Sequence, residues 1–284
     1  MKNFFVVANR SKEEALSLSV KIKDYLEKAG AVCVFDETVS GEVEYGYTNI
    51  ERMPKDTECV IVLGGDGTLL QASNDLSESD VVFLGINSGT LGYLSAVEEK
   101  DAIYAIDRIL NDDFEVENRM MIEGAVSASG DSSTKEIALN EIVIKGEKNM
   151  QMVYVSVYVN NRLLQRYRGD GVIVATPTGS TGYNLSAGGP IINPTAQTMI
   201  LTPICPHSML NRSIVFSSED TIRIDIENDK YQKEQNVVVL FDNSHKLQLK
   251  SNDSVSIRKS EKYSKIAKLS KESFLNTLKN KLEG

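Results

Sequence analysis

The sequence predicts an α/β domain built on a parallel sheet, followed by a β-rich, sandwich-like domain. Two observations carry the prediction. In the first third of the chain, continuous apolar runs alternate with stretches whose apolar residues recur every three or four positions, the pattern of parallel strands joined by crossover helices. From about Met120 onward the helical period disappears, and short apolar runs follow one another with turn residues between them. The expected boundaries are 1–112 with 270–284 for the α/β domain and 113–269 for the β-rich domain.

Residues 4–8 form an unbroken apolar run and predict the first strand, buried on both faces. The run stops at Asn9-Arg10, far short of the roughly 18 apolar residues that a membrane span needs. Ser11 and Glu14 have the spacing of a capping box and open a helix with Ala15, Leu18, Ile22, Tyr25, Leu26 and Ala29 on one face, stopped by Gly30. A second strand is expected over 31–35, then a weakly patterned acidic stretch over 36–56, then buried strands over 59–63 and 81–86 with a helix between them. One more helix is expected over 101–110. The β-rich part should hold strands over 137–144, 152–159, 172–175, 221–226, 237–241, 247–249 and 255–257. Asn160-Asn161 and Asn243-Ser244 are hairpin candidates, because Asn tolerates the positive φ such turns require. Phe274, Leu278 and Leu282, spaced by four, predict a closing helix assigned to the first domain.

Composition narrows the partners. With 41% apolar and 25% charged residues and 6 prolines in 284, the chain has the make-up of a folded globular protein. Its 31 Lys and Arg against 40 Asp and Glu leave a net charge of −9, which repels nucleic acid and anionic membrane surfaces, and no basic patch offsets it. The expectation is no nucleic-acid and no membrane partner. Three cysteines without a CxxC pair, and only two histidines, disfavour a disulfide framework, a zinc site and an imidazole dyad. They point to a reducing compartment, with the cytoplasm as the default.

Most of the 19 glycines fall in three windows, 64–67, 85–92 and 169–189. Glycine is required where φ is positive or where a ligand must approach the backbone, so such clusters suggest loops shaped around something. In the first, the apolar run 60–63 leads into Gly64, Gly65, Asp66, Gly67 and Thr68 and then into a helix. Amides of that turn and of the helix N-terminus can cradle phosphate oxygens without any Lys or Arg. Asp66 then has either of two tasks, holding a metal ion or accepting a proton, both belonging to phosphoryl transfer; the competing reading is a tight turn with Asp66 as helix cap. The pattern is neither GxGxxG nor a P-loop. Asn140 and Glu141 set an amide beside a carboxylate, a pair suited to ribose hydroxyls, or else a strand-edge pair. The run 168–190 supplies Arg168, Asp170, hydroxyls, exposed amides and the ring of Tyr183, a set suited to a ligand bearing phosphates, sugars and a carboxamide.

These residues carry a resemblance. Gly64-Gly65-Asp66-Gly67-Thr68 resembles the signature of the NAD kinase family and of its wider superfamily of lipid kinases and phosphofructokinases. The window around Tyr93 and the whole of 168–190 are similar to NAD kinases in particular, and 202–208 and 211–215 extend the likeness. The resemblance implies transfer of the γ-phosphoryl group of ATP to the 2′-hydroxyl of the adenosine ribose of NAD, giving NADP, with Mg²⁺ or another divalent cation. It implies Asp66 as the catalytic base and a phosphate loop of Gly64, Gly65, Gly67 and Thr68. Asp66, Gly67 and Tyr93 would meet the dinucleotide, and Asn140 and Glu141 its sugar hydroxyls. Asp170, Ser186 and the backbone at Gly182 would hold the carboxamide, with Thr178, Thr181, Tyr183, Asn184 and Leu185 lining the pocket and Arg168 neutralising a phosphate. His207 is expected in a structural hydrogen bond or a ligand contact. The family commonly has Ala where Gly182 stands and Gln near Ser244. A homo-oligomer, dimer or tetramer, is also implied. Two alternatives stand beside this reading: a lipid kinase of the diacylglycerol or sphingosine type, against which the net charge speaks, and a dinucleotide sensor without chemistry.

Overall fold

The structure, a computed structural model, describes residues 1–36, 48–87, 92–95, 97–127, 134–148, 151–207, 212–269 and 274–283. The chain divides into two compact units, Met1–Arg119 with Ser264–Gly284, and Met120–Tyr263.

In the first unit the elements run β1 (Asn3–Ala8), α1 (Glu13–Lys28), β2 (Val32–Phe35), β3 (Cys59–Leu63), α2 (Asp66–Asp75), β4 (Val82–Asn87), β5 (Val97–Glu98) and α3 (Ala102–Leu110). β2, β1, β3 and β4 lie side by side in that order, all parallel. Every residue of β3 and β4 is buried, as the continuous apolar runs predict for central parallel strands. Most of the expected face of α1 is buried: Ala15, Leu18, Ile22 and Leu26 join Phe4, Val6, Ile61, Leu63, Leu84 and Ile106 in one core, while Tyr25 is half-buried and Ala29 exposed.

Two details of α1 depend on local bonding. Its C-terminus closes with Gly30 at φ +76°, Gly30 N donating to Glu27 O at 3.0 Å and Ala31 N to Leu26 O at 2.9 Å, the paired bonds of a Schellman motif. The expected capping box at the other end does not form. Ser11 donates both its amide, at 3.0 Å, and its hydroxyl, at 2.7 Å, to Asn9 Oδ1, so its side chain is turned away and the helix starts after Lys12 without a side-chain cap.

The second unit follows through β6 (Glu115–Ser127), β7 (Thr134–Ala138), β8 (Glu141–Gly146), β9 (Val153–Val159), β10 (Arg162–Gly169), β11 (Gly171–Ala175), α4 (Tyr183–Ser186), β12 (Thr198–Ile204), β13 (Ile214–Ser217), β14 (Ile222–Ile226), β15 (Asn236–Phe241), β16 (His245–Lys250) and β17 (Ser254–Lys268). The chain changes unit inside β6 and again inside β17. After β17, helix α5 (Phe274–Glu283) occupies the predicted closing stretch within the first unit. One antiparallel sheet has the order β13-β12-β11-β8-β15-β16, and β10-β9-β14-β17 are antiparallel neighbours in the other. Ile142, Val172, Leu201 and Val239 from the first and Val155, Val157, Ile224 and Ile257 from the second share one core, so the unit is a sandwich.

Several strands depart from the sequence reading. β12 went unseen because Pro203, which lacks an N–H, sits inside it opposite Val172. β6, absent from the sequence reading, and β17, far longer than the expected 255–257, carry many polar residues: Glu115, Asn118, Arg258 and Glu261 are exposed, whereas Arg119, Ser260 and Ser264 are buried. The strand expected over 137–144 is two strands, broken at Leu139 and Asn140. Asn160 and Asn161 make the predicted turn, with φ +50° and +64°. The second turn is shifted by one residue: the positive φ values belong to Asp242 and Asn243. Among the described residues no helix is long and apolar enough to cross a membrane.

Candidate functional site

In the first unit the glycine turn joins β3 to α2. Gly64 still belongs to the sheet, donating its amide to Ile86 O at 3.0 Å, and a Cβ on it would collide with Thr68 Oγ1 and Asn9. Gly65 is the N-cap residue of α2, so Asp66 is the first helical residue, and its side chain makes no capping bond. The reading of Asp66 as a helix cap is therefore corrected. Its carboxylate instead accepts three backbone amides, Tyr93 N on Oδ2 at 2.7 Å, and Leu94 N at 3.1 Å and Ser95 N at 2.9 Å on Oδ1. Only glycine at position 92 permits this approach, since a Cβ there would fall onto the carboxylate. A carboxylate has about four lone-pair positions, so Oδ2 retains one for a further donor.

Of the amides expected to cradle phosphate, those of Gly64 and Thr68 are engaged, the latter with Gly65 O at 3.0 Å. Among the described residues the amides of Gly65, the N-cap, and of Asp66 and Gly67 in the first turn have no backbone partner, and they lie at the positive end of the α2 dipole. Tyr93 is half-buried, and Lys281 Nζ of α5 lies 5.8 Å from its ring centroid. Burial, and after it the charge of Asp66, raises the Tyr93 phenol. Arg119 and Asn9 were not anticipated. Arg119, 8% exposed, pairs with Glu117, which also meets Lys268 Nζ at 3.4 Å. Burial lowers the Arg119 guanidinium, while Glu117 and then Asp66 draw it back up, so a buried cation stands within electrostatic reach of Asp66. Its position in a charged, poorly patterned stretch gave no signal. Residues 88–91 of the second glycine window lie outside the described residues.

In the second unit the break between β7 and β8 sets Asn140 and Glu141 against the loop 176–182. Thr176 N donates to Asn140 O at 2.8 Å, Thr176 Oγ1 to Leu139 O at 2.6 Å, and Gly179 N to Thr176 Oγ1 at 3.1 Å. Gly179 lies so close to the Asn140 backbone that any Cβ would overlap it, and Gly182 faces Glu141 Oε2 and Asn140 Nδ2. Among the described residues, Asn140 Oδ1, Glu141 Oε2 and Thr178 Oγ1 are buried without a hydrogen-bond partner. Buried polar atoms are seldom left so, and three of them in one cradle are a donor and acceptor set suited to a polar ligand. Glu141 is pushed up to about 8, first by burial and then by Asp242. The pair is thus a carboxyl and an amide near neutral pH rather than a carboxylate and an amide.

Around this cradle, Asp170, Leu185, Ser186 and Tyr183 are exposed and Thr181 is half-buried. Burial raises the Tyr183 phenol, with further contributions from Cys205, Asp170 and Glu141, which places all three near its ring. Arg168 is exposed, 5.7 Å from the centroid of Tyr154, and its carbonyl accepts the His207 amide at 2.8 Å. Asn184 differs from the expectation of a pocket-lining group. It is fully buried, Nδ2 donates to Ser180 O and Pro190 O, and Oδ1 accepts from Thr202 Oγ1 at 2.6 Å, so its amide braces the loop. Ser208 and Asn211 lie outside the described residues. No three His, Cys, Asp or Glu side chains among the described residues gather as a metal site.

Comparison with known proteins bears on both units. Residues 4–114 match the profile of the ATP-NAD kinase N-terminal domain, and residues 139–269 that of the ATP-NAD kinase C-terminal domain. The chain is 43% identical over 284 residues to the NAD kinase of Lachnoclostridium phytofermentans, covering 99% of each chain. It is 39% identical over 293 residues to that of Lachnospira eligens, covering 99% of this chain and 100% of the relative. Among solved structures, an NAD kinase from Archaeoglobus fulgidus in complex with ATP superposes with a TM-score of 0.77 at 25% identity, covering 100% of this chain and 99% of that one. Yeast NADH kinase complexed with NADH has a TM-score of 0.86 at 21% identity, covering 100% and 88%, a likeness of fold.

Proposed function

Because the chain belongs to the NAD kinase family, we infer that it is an enzyme that transfers the γ-phosphoryl group of ATP to the 2′-hydroxyl of the adenosine ribose of NAD, giving NADP and ADP. A match that includes the C-terminal domain, with homologous kinases along the full length, sets aside the lipid-kinase and sensor alternatives.

Asp66 acts as the proton acceptor. The observation that carries this role is its carboxylate, oriented by the Tyr93, Leu94 and Ser95 amides with a lone pair of Oδ2 left over. The 2′-oxygen attacks the γ-phosphorus, its proton passes to Oδ2, and the bond from the γ-phosphorus to the bridging oxygen breaks. The amides of Gly65, Asp66 and Gly67 stabilise the charge on the transferring group, a task for fixed donors in a loose transition state. Asn140 and Glu141 hold sugar hydroxyls through their orphaned oxygens. Asp170, Ser186 and Gly182 take the carboxamide end, with Thr178, Thr181, Tyr183 and Leu185 beside them, and Arg168 offers charge to a phosphate.

A divalent cation such as Mg²⁺ fits here as part of the metal–ATP substrate, because the one carboxylate at the turn is largely engaged by amides and Mg²⁺ is commonly bound through substrate phosphates. When bound it neutralises the β- and γ-oxygens. The three free thiols support a reducing, cytoplasmic setting. The exposed Tyr183 and Leu185 support a homo-oligomer that covers them, and a solution mass of 31.4 kDa by light scattering would count against it. The test of the function is NADP formation from NAD, ATP and Mg²⁺ by the purified protein with Asp66→Asn beside it. Product from the wild type alone is expected, and equal product from both would remove Asp66 from the mechanism.

A further inference from the structure

At the break between β7 and β8, successive backbone amides meet a carboxylate about a hundred residues away in the sequence. Asp242 follows directly after β15, at the turn into β16, with φ +48° and 8% exposure. Its Oδ2 accepts Leu139 N at 2.6 Å and Asn140 N at 3.2 Å, and its Oδ1 accepts Asn140 N at 3.0 Å and Glu141 N at 2.7 Å. Asp242 N donates in turn to Glu141 O at 3.1 Å. Three successive amides that a neighbouring strand would otherwise take are gathered onto one side chain. Strand alternation is interrupted there, and Asn140 and Glu141 turn their side chains to the loop that carries Gly179 and Gly182.

We propose that Asp242 is a positioning residue for the acceptor substrate: by collecting the Leu139, Asn140 and Glu141 amides it fixes the Asn140–Glu141 pair on the sugar hydroxyls of NAD. The proposal rests on the reading of that pair as sugar-binding and extends it to a residue outside every glycine-rich motif. A backbone gathered onto a rigid carboxylate is pre-organised, and a misplacement of about 1 Å in such a pair weakens engagement substantially. The same charge gives Asp242 a second effect. The groups facing Glu141 are Asp242 on the strand side and Tyr183 on the loop side, and Asp242 is the anion that favours the protonated form of the Glu141 carboxyl. A protonated carboxyl beside an amide offers a ribose diol both a donor and an acceptor.

The experiment compares wild type with Asp242→Asn, which keeps the shape but removes the charge and turns the donor NH2 of a carboxamide toward backbone N–H groups. KM for NAD is expected to rise roughly ten- to hundredfold while KM for ATP stays within about twofold. The alkaline limb of the kcat/KM profile for NAD should move to lower pH, because removing the neighbouring anion eases ionisation of Glu141. A purely structural role would affect both substrates and leave that limb in place. A folded variant with unchanged KM for NAD and an unmoved limb overturns the proposal. Should Asp242→Asn not fold, amide hydrogen exchange on the wild type decides: protection of Leu139, Asn140 and Glu141 supports the proposal, and exchange at open-loop rates overturns it. The exchange result stands apart from turnover, so a wild type that makes no NADP would refute the kinase reading without deciding the role of Asp242.

Discussion

Asp66 and Glu141 are both carboxyl groups of the proposed machinery, and their surroundings give them different chemistry. Asp66 receives three backbone amides and Glu141 receives none on Oε2. Asp66→Asn should lower kcat by about two to four powers of ten, the range of a lost general base, with NAD affinity by calorimetry nearly unchanged. Gly92→Ala should resemble it, because the added methyl displaces the same carboxylate; wild-type turnover would mean that the loop is not seated on Asp66. For Glu141 the prediction concerns stability. Its folded value of about 8 lies above the ordinary 4.5, so its contribution is fully present below pH 4.5 and is lost as pH rises toward 8, levelling off above. Glu141→Gln does not titrate. Denaturant melts should therefore show the variant gaining on the wild type from pH 5 to pH 8, and a constant difference would show that Glu141 is not buried as described.

At the scale of elements, the two ends of α1 separate what local sequence decides from what it only suggests. The C-terminus needs a residue at positive φ with its paired amide bonds, and Gly30 supplies both. Gly30→Ala should cost about 1 kcal/mol in urea unfolding, from forcing a Cβ into the left-handed region. Ser11 has the right spacing for a capping box but bonds to Asn9. Ser11→Ala should therefore change stability by less than about 0.5 kcal/mol, below the usual loss of a helix cap; a loss of 1 kcal/mol or more would mean that the cap forms in solution. The Asn160-Asn161 turn was legible because positive φ favours Asn. The β7–β8 break was not, because nothing near residues 137–144 signals that their amides belong to Asp242.

For the whole molecule, two of the three thiols, Cys33 and Cys59, report on the core of the first unit. Burial pushes Cys33 up to about 11 and Cys59 up to about 12, whereas Cys205 is exposed. Native protein should react rapidly at one thiol with a chromogenic disulfide and at all three once unfolded; a second fast thiol would place the opening of that core within reach of native conditions. By itself the sequence determined the parallel sheet, its helices and the glycine turn bearing Asp66, since each rests on periodicity or on backbone needs that act over a few residues. Tertiary structure alone decided which amides orient Asp66, that Arg119 is a buried cation near it, that Asn184 braces the loop, and that Asp242 shapes the Asn140–Glu141 turn. Hydrogen bonds and charges act through space, and a residue a hundred positions away leaves no periodic trace in the chain it contacts.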